Sequence, residues 1–276
     1  MQTLRGPAGL QSVSQEASSL GVRCRMIAAR SVVLCLGMHN SRKESRFSTE
    51  EQYMTAVASP IDRSAAAADA LCAVGAEFHG RGWSLGTSSN YSVVTSRAPF
   101  QLLITASGLD KSGLTRSDFV MLDEQGQQID AFDDGTNKPS AEAMLHIAAA
   151  RRPGIGAVLH THSAWATTLS DLYAAEGALL IEGYEMLKGL RGITTHEHSE
   201  RLEIIENTQD IGTLAQTLTR RFEANDPALK YGFLLQKHGL YAWGRDLAEA
   251  RRHIEIFEFL FEVIGRTLLL KGSKPR

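Results

Sequence analysis

Apolar positions along this chain follow two periods, and each predicts a different element. Ser59-Pro60-Ile61-Asp62 combines a capping box with proline at the first helical position. Behind it Leu71, Val74 and Phe78 share one helical face, and the pattern stops near Gly80-Arg81-Gly82. The spacing then changes to strand-like runs over 91–95 and 101–105, with a turn at Ala98-Pro99, and again over 119–122. Gly126 and Asp133-Asp134-Gly135 punctuate the next hairpin. Ser140 is expected to cap a helix that runs to about Arg152, where Pro153-Gly154 ends it. A buried strand follows over 156–162, then a helix over 163–174, a strand over 202–205 and a helix over 210–225. Two strands, 233–236 and 240–243, flank Lys237-His238-Gly239.

The last helix starts near Asp246 and carries Leu247, Ala250, Ile254, Phe257, Phe261, Ile264 and Leu268 as one stripe. Ile256, Phe259, Leu260 and Val263 widen the stripe beyond one face. Such a helix needs two partners, its own core and a second surface such as another subunit. The mixture predicts an α/β fold with antiparallel hairpins covered by helices on both sides.

Composition narrows the class. With 276 residues, 43% apolar and 22% charged, the chain reads as an ordinary globular protein. A net charge of -2 supplies no basic field for nucleic acid or an anionic membrane. No run of about 18 uncharged apolar residues predicts a transmembrane helix. Cys24, Cys35 and Cys72 form no CxxC pair, which argues against a disulfide framework and fits a reducing, cytoplasmic setting. The first 43 residues are rich in arginine and serine with a single acid, Glu16. This composition is like that of a transit segment, and its plainer reading is a poorly structured leader, or an extension ahead of Met54. The expected organisation is a leader over 1–50 and one domain over 51–276.

Several segments could carry chemistry. His160-Thr161-His162 closes an apolar strand, where residues i and i+2 point to one face, so two imidazoles converge at the strand exit. That suits zinc or another divalent metal; the plainer reading is two polar residues leaving a strand. His196-Glu197-His198 repeats the spacing within a charged stretch and reads as solvated loop. His238, followed by Gly239, is the candidate third imidazole. Three imidazoles leave one position open, as in catalytic zinc sites. Thr87, Ser88 and Asn90 in one small polar loop, and Ser107 and Gly108 in another, could cradle an anion such as phosphate, although such residues more often only form turns. Glu142 sits in the first turn of a predicted helix, where its plainer role is to complement the helix dipole, and Glu185 lies between apolar runs, where its plainer role is an exposed helix glutamate.

In their order, GTSSN, SG, KPSAE, HTHS and KHG ahead of a long last helix, these segments resemble the class II aldolase/adducin family from Arg63 to Leu270. The resemblance implies a three-layer fold, a central mainly antiparallel sheet flanked by helices. It also implies one Zn2+ per subunit on His160, His162 and His238, and a homo-oligomer such as a tetramer. Residues 185–189, 205–211 and 239–244 resemble a branch that dehydrates a methylthio-substituted ketopentose phosphate in methionine salvage. That branch implies Glu185 as the catalytic acid/base facing the metal, a small phosphorylated sugar substrate held by Thr87, Ser88, Asn90, Ser107 and Gly108, and Glu142 as a substrate contact. Lys188 is a further candidate anion contact. A sugar-phosphate aldolase or epimerase is the alternative within the family, with Glu142 then the catalytic carboxylate. A non-catalytic adducin-like scaffold is the remote one. Ser89 stands where the family's GTSGN loop commonly has glycine.

Overall fold

The strand that ends in His160 and Thr161 lies at the centre of the sheet, and the rest of the fold builds outward from it. The computed structural model describes residues 60–129 and 136–272. By contacts the chain divides into Met1–Met54 and Thr55–Arg276, and the described residues all lie in the second unit. The expected leader over 1–50, the cap at Ser59 and the turn at Asp133-Asp134-Gly135 fall outside the described residues.

In chain order the elements are α1 (Pro60–Gly80), β1 (Asn90–Arg97), β2 (Phe100–Thr105), β3 (Phe119–Leu122), β4 (Gln128–Ile129), α2 (Ala143–Ala150) and β5 (Ala157–Thr161). They continue with α3 (Ala164–Leu172), β6 (Ala178–Glu182), β7 (Ser199–Ile205), α4 (Ile211–Glu223), β8 (Gly232–Leu235), β9 (Gly239–Gly244) and α5 (Leu247–Gly272). The described strands form one sheet in the order β4-β3-β2-β1-β5-β9-β8-β7-β6. All neighbours are antiparallel except β7 and β8, which are parallel.

Alternation along the central strands splits the core into two layers. Ala157 and Leu159 of β5, with Leu240 and Ala242 of β9, face a cluster built by α1, α3 and α5. Val158, Tyr241 and Trp243 face the other cluster, built by α2 and α4. The architecture is therefore the expected three-layer α/β arrangement around a mainly antiparallel sheet. Leu71, Phe78, Phe257 and Phe261 are fully buried, each a contribution of about 1.5–3 kcal/mol relative to exposure. In α5 the stripe packs from Ala250 to Phe261, but Leu268 at its far end is exposed, and of the widening residues Ile256 and Leu260 are buried while Phe259 stays 46% exposed. No described helix is long and apolar enough to cross a membrane.

Three boundaries differ from the sequence reading. α2 begins at Ala143, not after Ser140, because Pro139 bridges to Ala106 and the Ser140 carbonyl accepts from Ala143 N–H in a tight turn. Residues 139–142 are thereby held against the end of the sheet rather than wound into the helix. β7 starts at Ser199, three residues earlier than the apolar run, with Leu179–Leu202 and Leu180–Arg201 among its pairs. Its partner β6, bracketed by Gly177 and Gly183 at positive φ, was not anticipated as a strand.

Candidate metal centre and substrate cavity

At the exit of β5, His160 and the residue after the strand, His162, turn their rings toward the β8–β9 turn, which carries His238. The Nε2 atoms of His160 and His238 are 3.3 Å apart, and those of His238 and His162 are 3.2 Å apart. A tetrahedral ion with bonds of about 2.0–2.1 Å holds neighbouring nitrogens about 3.3–3.4 Å apart, so this spacing is that of ligands around one metal. The tautomer fits as well. Nδ1 of His160 lies 2.9 Å from the Leu240 carbonyl, which can only accept, so Nδ1 carries the proton and Nε2 presents its lone pair to the cluster. Burial and the neighbouring imidazoles of His162 and His238 hold His160 well below the usual histidine range. Burial, with His238 and Lys111 adding, lowers His162 to about 4. Both rings are thus neutral at physiological pH, the form that binds a cation.

Glu142 completes the group, with ligand atoms of all four residues within 4.8 Å of one another. Its Oε1 lies 3.3 Å from His238 Nε2 and its Oε2 3.6 Å from His160 Nε2. Asn90 Nδ2 donates to Glu142 Oε2 at 2.9 Å. Behind Asn90 stands His146, whose Nε2 meets Asn90 Oδ1 and whose Nδ1 lies 2.8 Å from Ser92 Oγ. Full burial pushes His146 down to about 3, so it stays neutral and orients the Asn90 amide. Burial and the Glu142 carboxylate hold the Tyr241 phenol well above its ordinary value. On the opposite face of β5, Thr161 Oγ1 donates to Glu258 of α5 at 2.7 Å. Burial raises the Glu258 carboxyl to about 7, against the pull of the Ser163 and Thr161 hydroxyls.

A cavity of about 310 Å³ opens beside this cluster. Thr87, Ser88, Asn90, Ser107, Gly108 and Glu142 all line it, together with His162 and His238. Gly86, Ser89 and Gly108 have φ of 65°, 72° and 75°, the left-handed backbone that curls both polar loops around the space. Ser89, the residue at the glycine position of the first loop, adopts this conformation as a serine. Asn207, Thr208, Gln209 and Ile211, from the β7–α4 connection, form a further part of the wall.

Glu185 is elsewhere. The expectation that it faces the metal is not met within one chain: it opens a short 3-10 turn, its side chain is 70% exposed, and it does not line the cavity. Its oxygens pair with Lys188 Nζ at 2.9 Å and His196 Nδ1 at 3.5 Å. Lys188 holds its carboxyl below the usual range, and His196 adds to this. Lys188 is itself absent from the cavity lining. The reason is local: Tyr184-Glu185 leaves the edge strand β6 into a turn at the surface.

A model of the class II aldolase and adducin N-terminal domain matches residues 69–264. The chain belongs to the class II aldolase and adducin family. The class II aldolases depend on a metal ion, and the cluster of Glu142, His160, His162 and His238 can hold one. Among relatives, a methylthioribulose-1-phosphate dehydratase of a Picosynechococcus strain is 44% identical over 193 residues, covering 70% of this chain and 88% of the relative. Another of that name, from Marinobacter nauticus, is 43% identical over 212 residues, 76% of this chain and 98% of the relative. The crystal structure of L-fuculose-1-phosphate aldolase from Thermus thermophilus superposes with a TM-score of 0.56 at 22% identity, over 78% of this chain and 98% of that one. At that identity the superposition speaks for the fold of the class II aldolases alone.

Sequence reasoning missed two parts of this family site. His146 is not among the candidate residues taken from the sequence. The signal was a histidine inside Ala143-Met144-Leu145-His146-Ile147-Ala148, where an all-apolar helix leaves a ring nothing to bond except the sheet beneath. Asn207, Thr208 and Gln209 were noted for their resemblance and not as a cavity wall, because only the parallel pairing of β7 with β8 brings their loop beside His238.

Proposed function

We propose that this chain is a zinc-dependent methylthioribulose-1-phosphate dehydratase, converting 5-methylthioribulose 1-phosphate to 2,3-diketo-5-methylthiopentyl 1-phosphate and water in methionine salvage. The observation that carries this reading is the convergence of three imidazole Nε2 atoms beside a polar cavity, in a chain 44% identical to a relative bearing that name. His160, His162 and His238 hold the metal. Bound zinc supplies a Lewis acid at the substrate's C2 carbonyl, which makes the C3 proton more acidic. Thr87, Ser88, Asn90, Ser107 and Gly108 hold the phosphate and so fix C2 and C3 beside the cluster. A carboxylate takes the C3 proton, the C3–H electron pair becomes the C3–C4 double bond, and the C4 hydroxyl leaves with a proton as water. The enol so formed takes a proton at C4 and becomes the second ketone.

We assign that carboxylate to Glu185, acting in the cavity of a neighbouring copy within a homo-oligomer. Its exposure in its own chain, its ionised state beside Lys188 and the EMLKG segment around it support this. Glu142, tied to Asn90 and two imidazoles, then orients substrate next to the metal. Cytoplasmic residence is inferred from the substrate and from the wide spacing of three cysteines that form no CxxC pair.

One observation favours a second reading. Glu142 is the carboxylate already at the cluster, the arrangement expected if the reaction breaks C3–C4 as in an aldolase. Incubating the purified protein separately with 5-methylthioribulose 1-phosphate and with L-fuculose 1-phosphate, and following products by mass spectrometry, separates the two. Loss of one water from the first, with the second untouched, is the expected result. Cleavage of either sugar into two smaller fragments would mean an aldolase.

A further inference from the structure

We propose that Glu258 is a positioning residue for the metal ligands, holding Thr161 from behind so that His160 and His162 keep their convergence on His238. The proposal rests on the zinc reading of the cluster above.

Alternation puts the two histidines and the threonine between them on opposite faces of the strand. The histidines turn toward His238, with His162 lining the cavity, and Thr161 looks into the layer of α5, where it is fully buried and donates to Glu258 Oε1 at 2.7 Å. Glu258 is 2% exposed and sits among the apolar residues Ile254, Phe257 and Phe261 of its own helix. A carboxyl there is costly. Well-packed apolar replacements of buried charged groups are often neutral or stabilising, so core stability alone does not account for it.

Position does account for it. The Thr161 backbone pairs with Leu240 of β9, and its carbonyl packs so tightly on Gly239 that a Cβ there would come within 2.0 Å of it. Gly239 follows His238 directly. Thr161 therefore touches the segments that carry all three imidazoles: it is bonded to His160 and His162 and packed against the neighbour of His238. Its backbone is pinned by the sheet, and Glu258 fixes the remaining freedom, the tilt of the strand end. The other side of the His238 turn is held comparably, by Thr167 Oγ1 donating to the His238 carbonyl at 2.9 Å. Partners of this kind behind metal ligands are typically worth about 10- to 100-fold in metal affinity.

The test uses full-length protein stripped with a chelator, and measures zinc affinity by competition with a chromophoric chelator, alongside the melting temperature of the metal-free form. Thr161→Val and Glu258→Leu are each expected to weaken zinc binding about 10- to 100-fold. The double variant should lose less than the sum of the two single losses, because both remove the Thr161–Glu258 contact, while Glu258→Leu also removes the partner of the Ser163 hydroxyl. Glu258→Gln, which keeps an acceptor oxygen, should stay within about threefold of the parent. Unchanged affinity in Thr161→Val, or losses that simply add in the double variant, would overturn the proposal, whatever happens to the melting temperature. Should Glu258→Leu fail to fold, Thr161→Val against Glu258→Gln decides in the same way. A parent protein that binds no zinc would instead overturn the metal reading itself, and this inference with it.

Discussion

The chain writes the same three-residue pattern twice, and the fold treats the two copies differently. His160-Thr161-His162 ends the central strand, with His160 buried and both rings meeting a third imidazole. His196-Glu197-His198 lies in turns before the second-to-edge strand β7, where His198 pairs with Glu200 at 2.9 Å and His196 with Glu185 at 3.5 Å. Spacing alone gives either pair the geometry to share a ligand. The difference is what surrounds them: burial keeps His160 and His162 neutral, and the Leu240 carbonyl turns the His160 Nε2 lone pair toward the cluster. In the second pair, carboxylates satisfy the rings, the exposed Glu185 for His196 and the buried Glu200 for His198.

The strongest way to break this contrast is to remove one histidine from each pair. His162→Ala should reduce bound zinc to a trace and activity with it, whereas His198→Ala should keep one zinc per chain. Metal analysis of both purified variants checks this; equal zinc loss in the two would erase the distinction.

Next in size is the carboxylate question. Glu185→Gln keeps shape and removes proton acceptance, so dehydration should fall by roughly two to four powers of ten with zinc content intact. Glu142→Gln should cost less. Steady-state rates on 5-methylthioribulose 1-phosphate measure both, and the reverse ranking would move the acid/base role to Glu142.

The buried histidine behind the first pair sharpens the contrast through pH. Burial depresses His146 to about 3 from an unfolded value near 6.5, so the unfolded chain binds its proton first as pH falls. Stability from this group is complete above about pH 6.5 and declines below it, by about 2 kcal/mol at pH 5. Denaturant titrations of metal-free protein at pH 7 and pH 5 should show that decline. His160 and His162, also held low, add their own share, so His146→Gln should remove about 2 kcal/mol of the decline and not all of it, and an unaltered pH slope would show that His146 contributes none.

The smallest effect concerns the anion loop. Ser89 holds φ of 72°, a region that costs a residue with a Cβ about 1–2 kcal/mol. Ser89→Gly relieves that but gives the unfolded chain more freedom, and it loses the serine's 3.3 Å bond to the Trp83 carbonyl. The net gain should be below about 1 kcal/mol, read as a small rise in melting temperature.

What could be read from sequence was what depends on local periodicity. The i, i+2 rule put His160 and His162 on one face, and the 3/4 stripe marked α5 residue by residue. The order of the polar loops, the helix and the histidines pointed to residues that do line one cavity. What escaped depends on pairing between distant segments. Ala178–Glu182 is an apolar run too short to distinguish strand from helix until Ser199–Ile205 pairs with it. Glu185 lies three residues past that strand, so the sequence left two readings of it open, an exposed glutamate or one facing the metal, and only the strand and the turn after it place it at the surface within one chain. His146 gains its meaning only through Asn90, which lies on a different strand.

If the buried histidine cluster runs a dehydration, the reaction must depend on the metal it holds. The direct measurement is to strip the protein with a chelator, supply 5-methylthioribulose 1-phosphate, and follow the substrate by mass spectrometry before and after adding one equivalent of zinc. No loss of water without metal, and formation of the diketone phosphate on zinc addition, is the predicted result. Undiminished dehydration by the stripped protein, or a zinc-restored protein that leaves this substrate intact, would contradict it.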